Sequence, residues 1–284
     1  ILMTDRRPLS IGHSPDADDA FMFYALAHEH ITIPGREIQH HMEDIESLNN
    51  RAMTGDLDVT AISAAQYPQI ADKYRIMACG SSIGRNYGPV IVSRSEMSYA
   101  DLEGKKIGVP GEFTTSYLLL QIFVDIPFTP VFLDFDAVGA AVDDGSVDAG
   151  ILLHEGQILY EQQGYHKVMD LGEEWFSATN LPIPLGLDCV HRRMDGEEQL
   201  AVAKALHDAI VYARDNEDDA LDYALQYGRG IEKEDARKFV RMYVNQDTVD
   251  MGDEGRRALE QLFGMAAERG IISEVPEIDL VPVS

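Results

Sequence analysis

Apolar residues along this chain fall into short runs separated by polar stretches that carry glycine or proline. The first run, Leu9-Ser10-Ile11-Gly12-His13, predicts a strand. Ser14-Pro15-Asp16 predicts a helix start behind it, with Ser14 as N-cap and Pro15 in the first helical position. Phe21, Tyr24, Ala25 and His28 then recur at helical spacing. Pro34-Gly35 marks a turn and Glu37 to His40 a short strand. Ile45 to Thr54 reads as a helix that Gly55 ends, and Asp58 to Ser63 as the next strand. Ala64 to Asp72 reads as helix and Tyr74 to Cys79 as strand.

After the glycine-rich loop from Gly80 to Pro89 and a strand at Val90-Ile91-Val92, a second unit of the same kind begins at Asp101. Lys106 to Val109 and Val131 to Phe135 read as strands. Helices are expected through Leu120 and Phe123, and from Ala137 to Asp143. The segment Gly145-Ser146-Val147-Asp148-Ala149-Gly150-Ile151-Leu152-Leu153-His154 repeats, ninety residues on and without a gap, the pattern of Gly55-Asp56-Leu57-Asp58-Val59-Thr60-Ala61-Ile62-Ser63-Ala64. Alternating strand, glycine loop and helix predict an α/β protein with mainly parallel sheets. From Gly196 onward the periodicity is helical, over 200–216, 218–227, 233–243 and 254–269, with no obvious sheet. This tail is expected to pack against a preceding lobe, and the region from Gly164 to Asp195, which carries Trp175 and Pro182-Ile183-Pro184-Leu185-Gly186, to hold the return crossing. The prediction is two lobes around a cleft: lobe 1 from 1–93 plus 190–284, lobe 2 from 94–189.

With 284 residues the chain can bury a sizeable core. No apolar run approaches the roughly 20 residues of a membrane helix, and Ile1 to Arg7 lack the apolar core and cleavage site of a secretory signal. The cytoplasm is therefore the expected compartment. Cys79 and Cys189 stand far apart in no CxxC spacing and read as reduced, buried thiols. The 23 basic and 49 acidic residues give a net charge of −26. Such a field repels nucleic acid and acidic membranes, so neither is an expected partner, and an anionic ligand must be held by local donors.

His154 leads the candidate chemistry. It stands where a buried strand meets a loop, the usual place for ligands in α/β proteins, and partial desolvation there favours a neutral imidazole base. Glu155 points away from it by strand alternation. Thr114-Thr115-Ser116 opens a helix, offering free backbone N–H groups, hydroxyls and the helix dipole to an anion. Simple N-capping explains the same residues. Ser63, ending the matching strand, is placed to hydrogen-bond a ligand. Asp16, Asp18 and Asp19 read as dipole-stabilised acids of a first helical turn and not as a metal site. His28, His30, His40 and His41 match no zinc spacing. Arg85 reads equally as a carboxylate clamp or a surface ion pair, and Asn49 as solvent-exposed by default, although its helix could bring it to the cleft.

Several co-linear stretches together resemble one family. They are His13-Ser14-Pro15-Asp16-Ala17-Asp18-Asp19-Ala20-Phe21-Met22-Phe23, Glu43 to Asn49, Gly111-Glu112-Phe113-Thr114-Thr115-Ser116-Tyr117, Leu152-Leu153-His154-Glu155 and Leu181-Pro182-Ile183-Pro184-Leu185-Gly186. The family is the 1,4-dihydroxy-6-naphthoate synthases of the futalosine route to menaquinone. The resemblance implies a type II periplasmic-binding-protein-like fold, two α/β lobes with a central cleft. It implies a carbon–carbon lyase converting cyclic dehypoxanthine futalosine to 1,4-dihydroxy-6-naphthoate, without a cofactor and with no metal. His154 matches the proton acceptor, and Ala61, Ile62, Ser63, Thr115 and Ser116 match substrate-lining positions for a small anionic substrate. The chain departs from some members at Asp16-Ala17-Asp18 and at Ala61, where a lysine can stand; Arg85 or His13 is the candidate to replace that cation. A chorismate dehydratase of the same pathway and a non-catalytic solute-binding protein for a small carboxylate are the alternatives.

Overall fold

The computed structural model describes residues 7–227 and 230–283; the Ile1–Arg6 part of the N-terminal run read above lies outside them. Twelve strands among the described residues form two sheets. The first contains β1 (Leu9–His13), β2 (Ile38–Met42), β3 (Val59–Ser63), β4 (Tyr74–Met77), β5 (Ser82–Gly84), β11 (Ile183–His191) and β12 (Leu280–Val281), in the order β12-β4-β11-β3-β1-β2 with β5 beside β11. The second contains β6 (Val90–Ser93), β7 (Lys106–Val109), β8 (Thr129–Phe132), β9 (Ala149–Leu152) and β10 (His166–Asp170), in the order β10-β6-β9-β7-β8.

The strands change sheet within 85–89 and again within 171–182, ahead of the lobe boundaries expected at 93/94 and 189/190. The two crossings touch backbone to backbone. A Cβ on Gly172 would stand 2.0 Å from the Tyr87 carbonyl carbon, and one on Gly88 2.9 Å from Gly172 N. Leu171 N donates to Pro89 O at 2.9 Å, and the fully buried Trp175 anchors the second crossing by donating from Nε1 to Pro182 O at 3.0 Å.

Half of the strand pairings among the described residues are antiparallel, which corrects the expectation of mainly parallel sheets. The reason is topological. Strands fed by a local helix crossover, such as β1, β2 and β3, run parallel. Those entering straight from a crossing, β6 and β11, run against their neighbours. The tail also supplies a strand after all, because β12 pairs with β4.

The first helix, Ala17–Ala27, starts later than the sequence suggests, with Asp16 and not Ser14 at the N-cap. Ser14 is engaged otherwise: its N donates to Asp19 Oδ2 at 2.7 Å and its hydroxyl to Asp16. This helix is buried on nearly every side, under the tail helices Gly196–Asp215, Glu217–Ala224 and Lys233–Tyr243. The tail therefore packs on the first sheet's layer, as its amphipathic spacing requires.

Candidate functional site

The strand ends of β3 and β9 open on one cavity of about 730 Å³, its mouth included. Ala61, Ile62 and Ser63 line it from the first sheet, Thr115, Ser116 and His154 from the second. All six sequence-derived site residues thus meet in one place.

His154 sits past the end of β9 in the left-handed region, φ 51°, a conformation that costs a non-glycine residue roughly 1–2 kcal/mol. Gln157 braces this turn. Its amide bonds the Tyr243 hydroxyl, and in its better-satisfied orientation also donates to Gly88 O at 2.9 Å and accepts from His154 N at 3.3 Å. The imidazole rests edge-on to Phe135 and Phe239, with centroids 5.3 and 6.4 Å away. Its Nε2 lies 3.2 Å from Asp16 Oδ2. A ring that donates Nε2–H to a carboxylate carries its lone pair on Nδ1, so the contact fixes both orientation and tautomer for a base.

Asp16 is one of four aspartates on the cavity wall, with Asp18, Asp19 and Asp188, all buried. Among the described residues no lysine or arginine lines the cavity. Burial pushes the Asp18 carboxyl up to about 6 and Asp188 up to about 8, and Asp19 is raised as well by burial and its acidic neighbours. Asp188 folds over Gly80, where a Cβ would stand 2.2 Å from its Oδ2. Asp16, Asp18 and His154 are also close enough together to hold a divalent ion; such an ion would bind the imidazole and compete with its use as a base.

On the opposite wall, Thr114 caps the helix Thr115–Phe123 by accepting from Tyr117 N. The hydroxyls beside it are not free for a ligand, contrary to the sequence reading. Thr115 Oγ1 donates to Leu185 O at 2.7 Å and accepts from Ala65 N at 3.1 Å, tying this helix to the first sheet's side. Ser116 Oγ donates to Thr114 Oγ1 at 3.1 Å. What the helix start offers an anion is the backbone N–H pair of Thr115 and Ser116. The preceding amides, Glu112 N and Phe113 N, already donate to Glu46.

The structure also decides three readings that concern single side chains. Asn49 is fully buried: its Oδ1 accepts from Ser63 N at 2.9 Å and its Nδ2 donates to Ser63 Oγ at 3.0 Å. Arg85 is an ion-pair residue bound to Asp247 and Glu254 at 2.7–2.9 Å. His13 stacks on Phe23 outside the cavity, and burial lowers its pKa to about 4. Neither supplies a cation to the site. Sequence reasoning missed Asp188, Gln157, Phe239 and Tyr243 as wall residues. Only Asp188 carried a signal, a charge inside the apolar run Leu185-Gly186-Leu187-Asp188-Cys189-Val190.

Comparison with known proteins gives a consistent result. Residues 9–268 match the family described as menaquinone biosynthesis. The chain is 35% identical to a 1,4-dihydroxy-6-naphthoate synthase of Thermus thermophilus, over 94% of this chain and 97% of that one. It is 33% identical to the enzyme of the same name from Streptomyces coelicolor, over 93% and 94%. A crystal structure of an Archaeoglobus fulgidus protein, 44% identical, superposes with a TM-score of 0.90 over 94% of this chain and all of that one. The alkanesulfonate-binding protein of Xanthomonas axonopodis, 14% identical, superposes at 0.74 over 98% and 99%, which shows the periplasmic-binding-protein-like fold.

Proposed function

Since the chain belongs to the menaquinone-biosynthesis family, we propose that it forms 1,4-dihydroxy-6-naphthoate from cyclic dehypoxanthine futalosine, as a carbon–carbon lyase with His154 as proton acceptor. The observation that carries this reading is the Asp16-held imidazole at the cavity end of β9. His154 removes a proton through Nδ1, the sugar-derived fragment departs, and the ring system aromatises. Aromaticity of the product supplies much of the driving force, so one positioned base suffices without a cofactor. The substrate's carboxylate lies against Thr115 N and Ser116 N, away from the aspartates, and its ring system against Ala61, Ile62 and Ser63. With this reading go a cytoplasmic location and no nucleic-acid or membrane partner. Its support is the charge of −26 and, among the described residues, the lack of any helix long and apolar enough to cross a membrane.

The test is incubation of the purified protein with cyclic dehypoxanthine futalosine and, separately, with chorismate, following product absorbance. Turnover of the first alone is expected, with His154→Ala slower by ~10²–10⁴-fold. Turnover of chorismate, binding without turnover, or a His154→Ala variant as fast as the wild type would each refute the reading.

A further inference from the structure

Proton removal by His154 leaves one wall group of the cavity without a task. Asp18 lines the cavity from the first turn of helix Ala17–Ala27 and is only 7% exposed. Its Oδ2 lies 3.5 Å from Ser82 Oγ, and its Oδ1 has no hydrogen-bond partner among the described residues. One ring nitrogen of His154 and one carboxylate oxygen each from Asp16 and Asp18 lie within 4.8 Å of one another. His154 Nε2 and Asp16 Oδ2 are 3.2 Å apart, the spacing of neighbouring ligands around an ion bound at about 2.1 Å. Outer partners steady the carboxylates: the Ser14 hydroxyl donates to Asp16, and Asp19 Oδ2 holds Ser14 N at 2.7 Å. One helical turn alone lacks the spread of donors a metal needs, and His154 supplies it from the second sheet. With no lysine or arginine on the wall among the described residues, a buried carboxylate oxygen left unpaired is suited to a cation from outside.

We propose that Asp16, Asp18 and His154 form a site for a divalent first-row transition ion of the zinc class, and that the bound ion switches the base off. The second half rests on the reading of His154 as proton acceptor. Two carboxylate oxygens and one imidazole nitrogen are a donor set that suits zinc, cobalt or manganese, whereas calcium and magnesium are held by oxygens. Without the ion, Nε2–H donates to Asp16 and the Nδ1 lone pair is the base. The ion takes the lone pair of Nε2, so the single proton of the neutral ring moves to Nδ1. No electron is exchanged and no proton is lost from the ring. The nitrogen that would accept the substrate's proton then already carries one. Asp16 thus orients the imidazole in the active state and shares the ion with it in the inactive one.

The test titrates zinc, and separately cobalt, into the full chain after treatment with a chelator and dialysis. Saturable heat with zinc and visible absorption of bound cobalt are expected. Asp18→Asn and His154→Ala should each weaken binding by ~10-fold or more, since loss of even an outer partner of a metal ligand costs about 10–100-fold; thermal melting shows that each variant is folded. In turnover of cyclic dehypoxanthine futalosine, zinc should lower the rate and excess chelator restore it, while magnesium should not lower it. Asp18→Asn should need ~10-fold more zinc for the same fractional loss, measured against its own metal-free rate. Binding that neither variant weakens, as the exposed His28 and His30 would give, overturns the site. Zinc that binds there and leaves turnover unchanged, or raises it, overturns the switch. A wild type that binds zinc through these groups and does not convert the substrate removes the reaction and keeps the site.

Discussion

Asp188 and Thr115 show how partners far away in sequence decide what a residue does. Asp188 pairs in register with Ala61, whose methyl cannot neutralise it, and it is 1% exposed. Its carboxyl ionises at about 8 in the fold, against 3.8 as the reference value. Between those values the folded chain keeps a proton that the unfolded chain has lost. Stability is therefore full below the lower value and falls as pH rises through the upper one. Asp188→Asn should be more thermally stable than wild type on the alkaline side, with the difference closing on acidification; a pH-independent difference would contradict this. Thr115→Val leaves Ala65 N and Leu185 O without their partner and should cost ~1–3 kcal/mol in chemical denaturation. Ser116→Ala should stay within about 1 kcal/mol and keep KM, since the proposed anion contact is made by its backbone N–H and its hydroxyl is engaged with Thr114 Oγ1. His154 and the Thr115-Ser116 pair were legible in the sequence because local geometry places them, at a strand end and a helix start. Asp16 and Asn49 were not, because helix-start acids and helical asparagines usually face water. Here the contacts Asp16–His154 and Asn49–Ser63 bury them.

The ninety-residue echo proves to be a structural device at the scale of elements. β3 lies parallel to β1 and β9 parallel to β7, with Val59 and Ala149 at matching places in their pairs. Each is preceded by an aspartate that grips the neighbouring strand: Asp58 Oδ2 accepts from Ser10 N at 3.0 Å and Asp148 Oδ2 from Lys106 N at 2.9 Å. The surroundings differ. Asp58 is buried and bound also by Arg7 and Arg193, which hold its carboxyl well below the usual carboxylate range, while Asp148 is partly open to solvent. Asp58→Ala leaves the buried Ser10 N and Oγ without their acceptor and should cost about 2–3 kcal/mol, whereas Asp148→Ala should cost about 1 kcal/mol. Denaturant midpoints decide it; equal costs would show that the two grips are energetically alike. Strands, helices and the echo were readable because period and glycine punctuation are local signals. The antiparallel β11 and the added β12 were not, since their places depend on crossings and on pairing with segments over a hundred residues away.

For the whole molecule, the net charge of −26 and a cavity wall with four aspartates and, among the described residues, no lysine or arginine act in the same direction. Repulsion among surface carboxylates opposes the compact state and slows the approach of an anion. Salt near 1 M cuts the screening length to about 3 Å. Both the thermal midpoint and kcat/KM for the proposed anionic substrate should therefore rise with salt, and a fall in either would count against a repulsive field as the governing effect. The two-lobed outline and the region of the return crossing, Gly164 to Asp195, could be anticipated from the alternating elements, but the residues at which the chain leaves each sheet could not.

Because Gly88 and Gly172 meet with no side chain between them, the spacing of the two crossings is gauged by the thickness of the polypeptide backbone itself. Any widening of the cavity mouth must twist both crossings together, as one axle. A single methyl at Gly172 would act there as a wedge. Gly172→Ala should raise KM and lower the melting temperature without altering any group that meets the substrate.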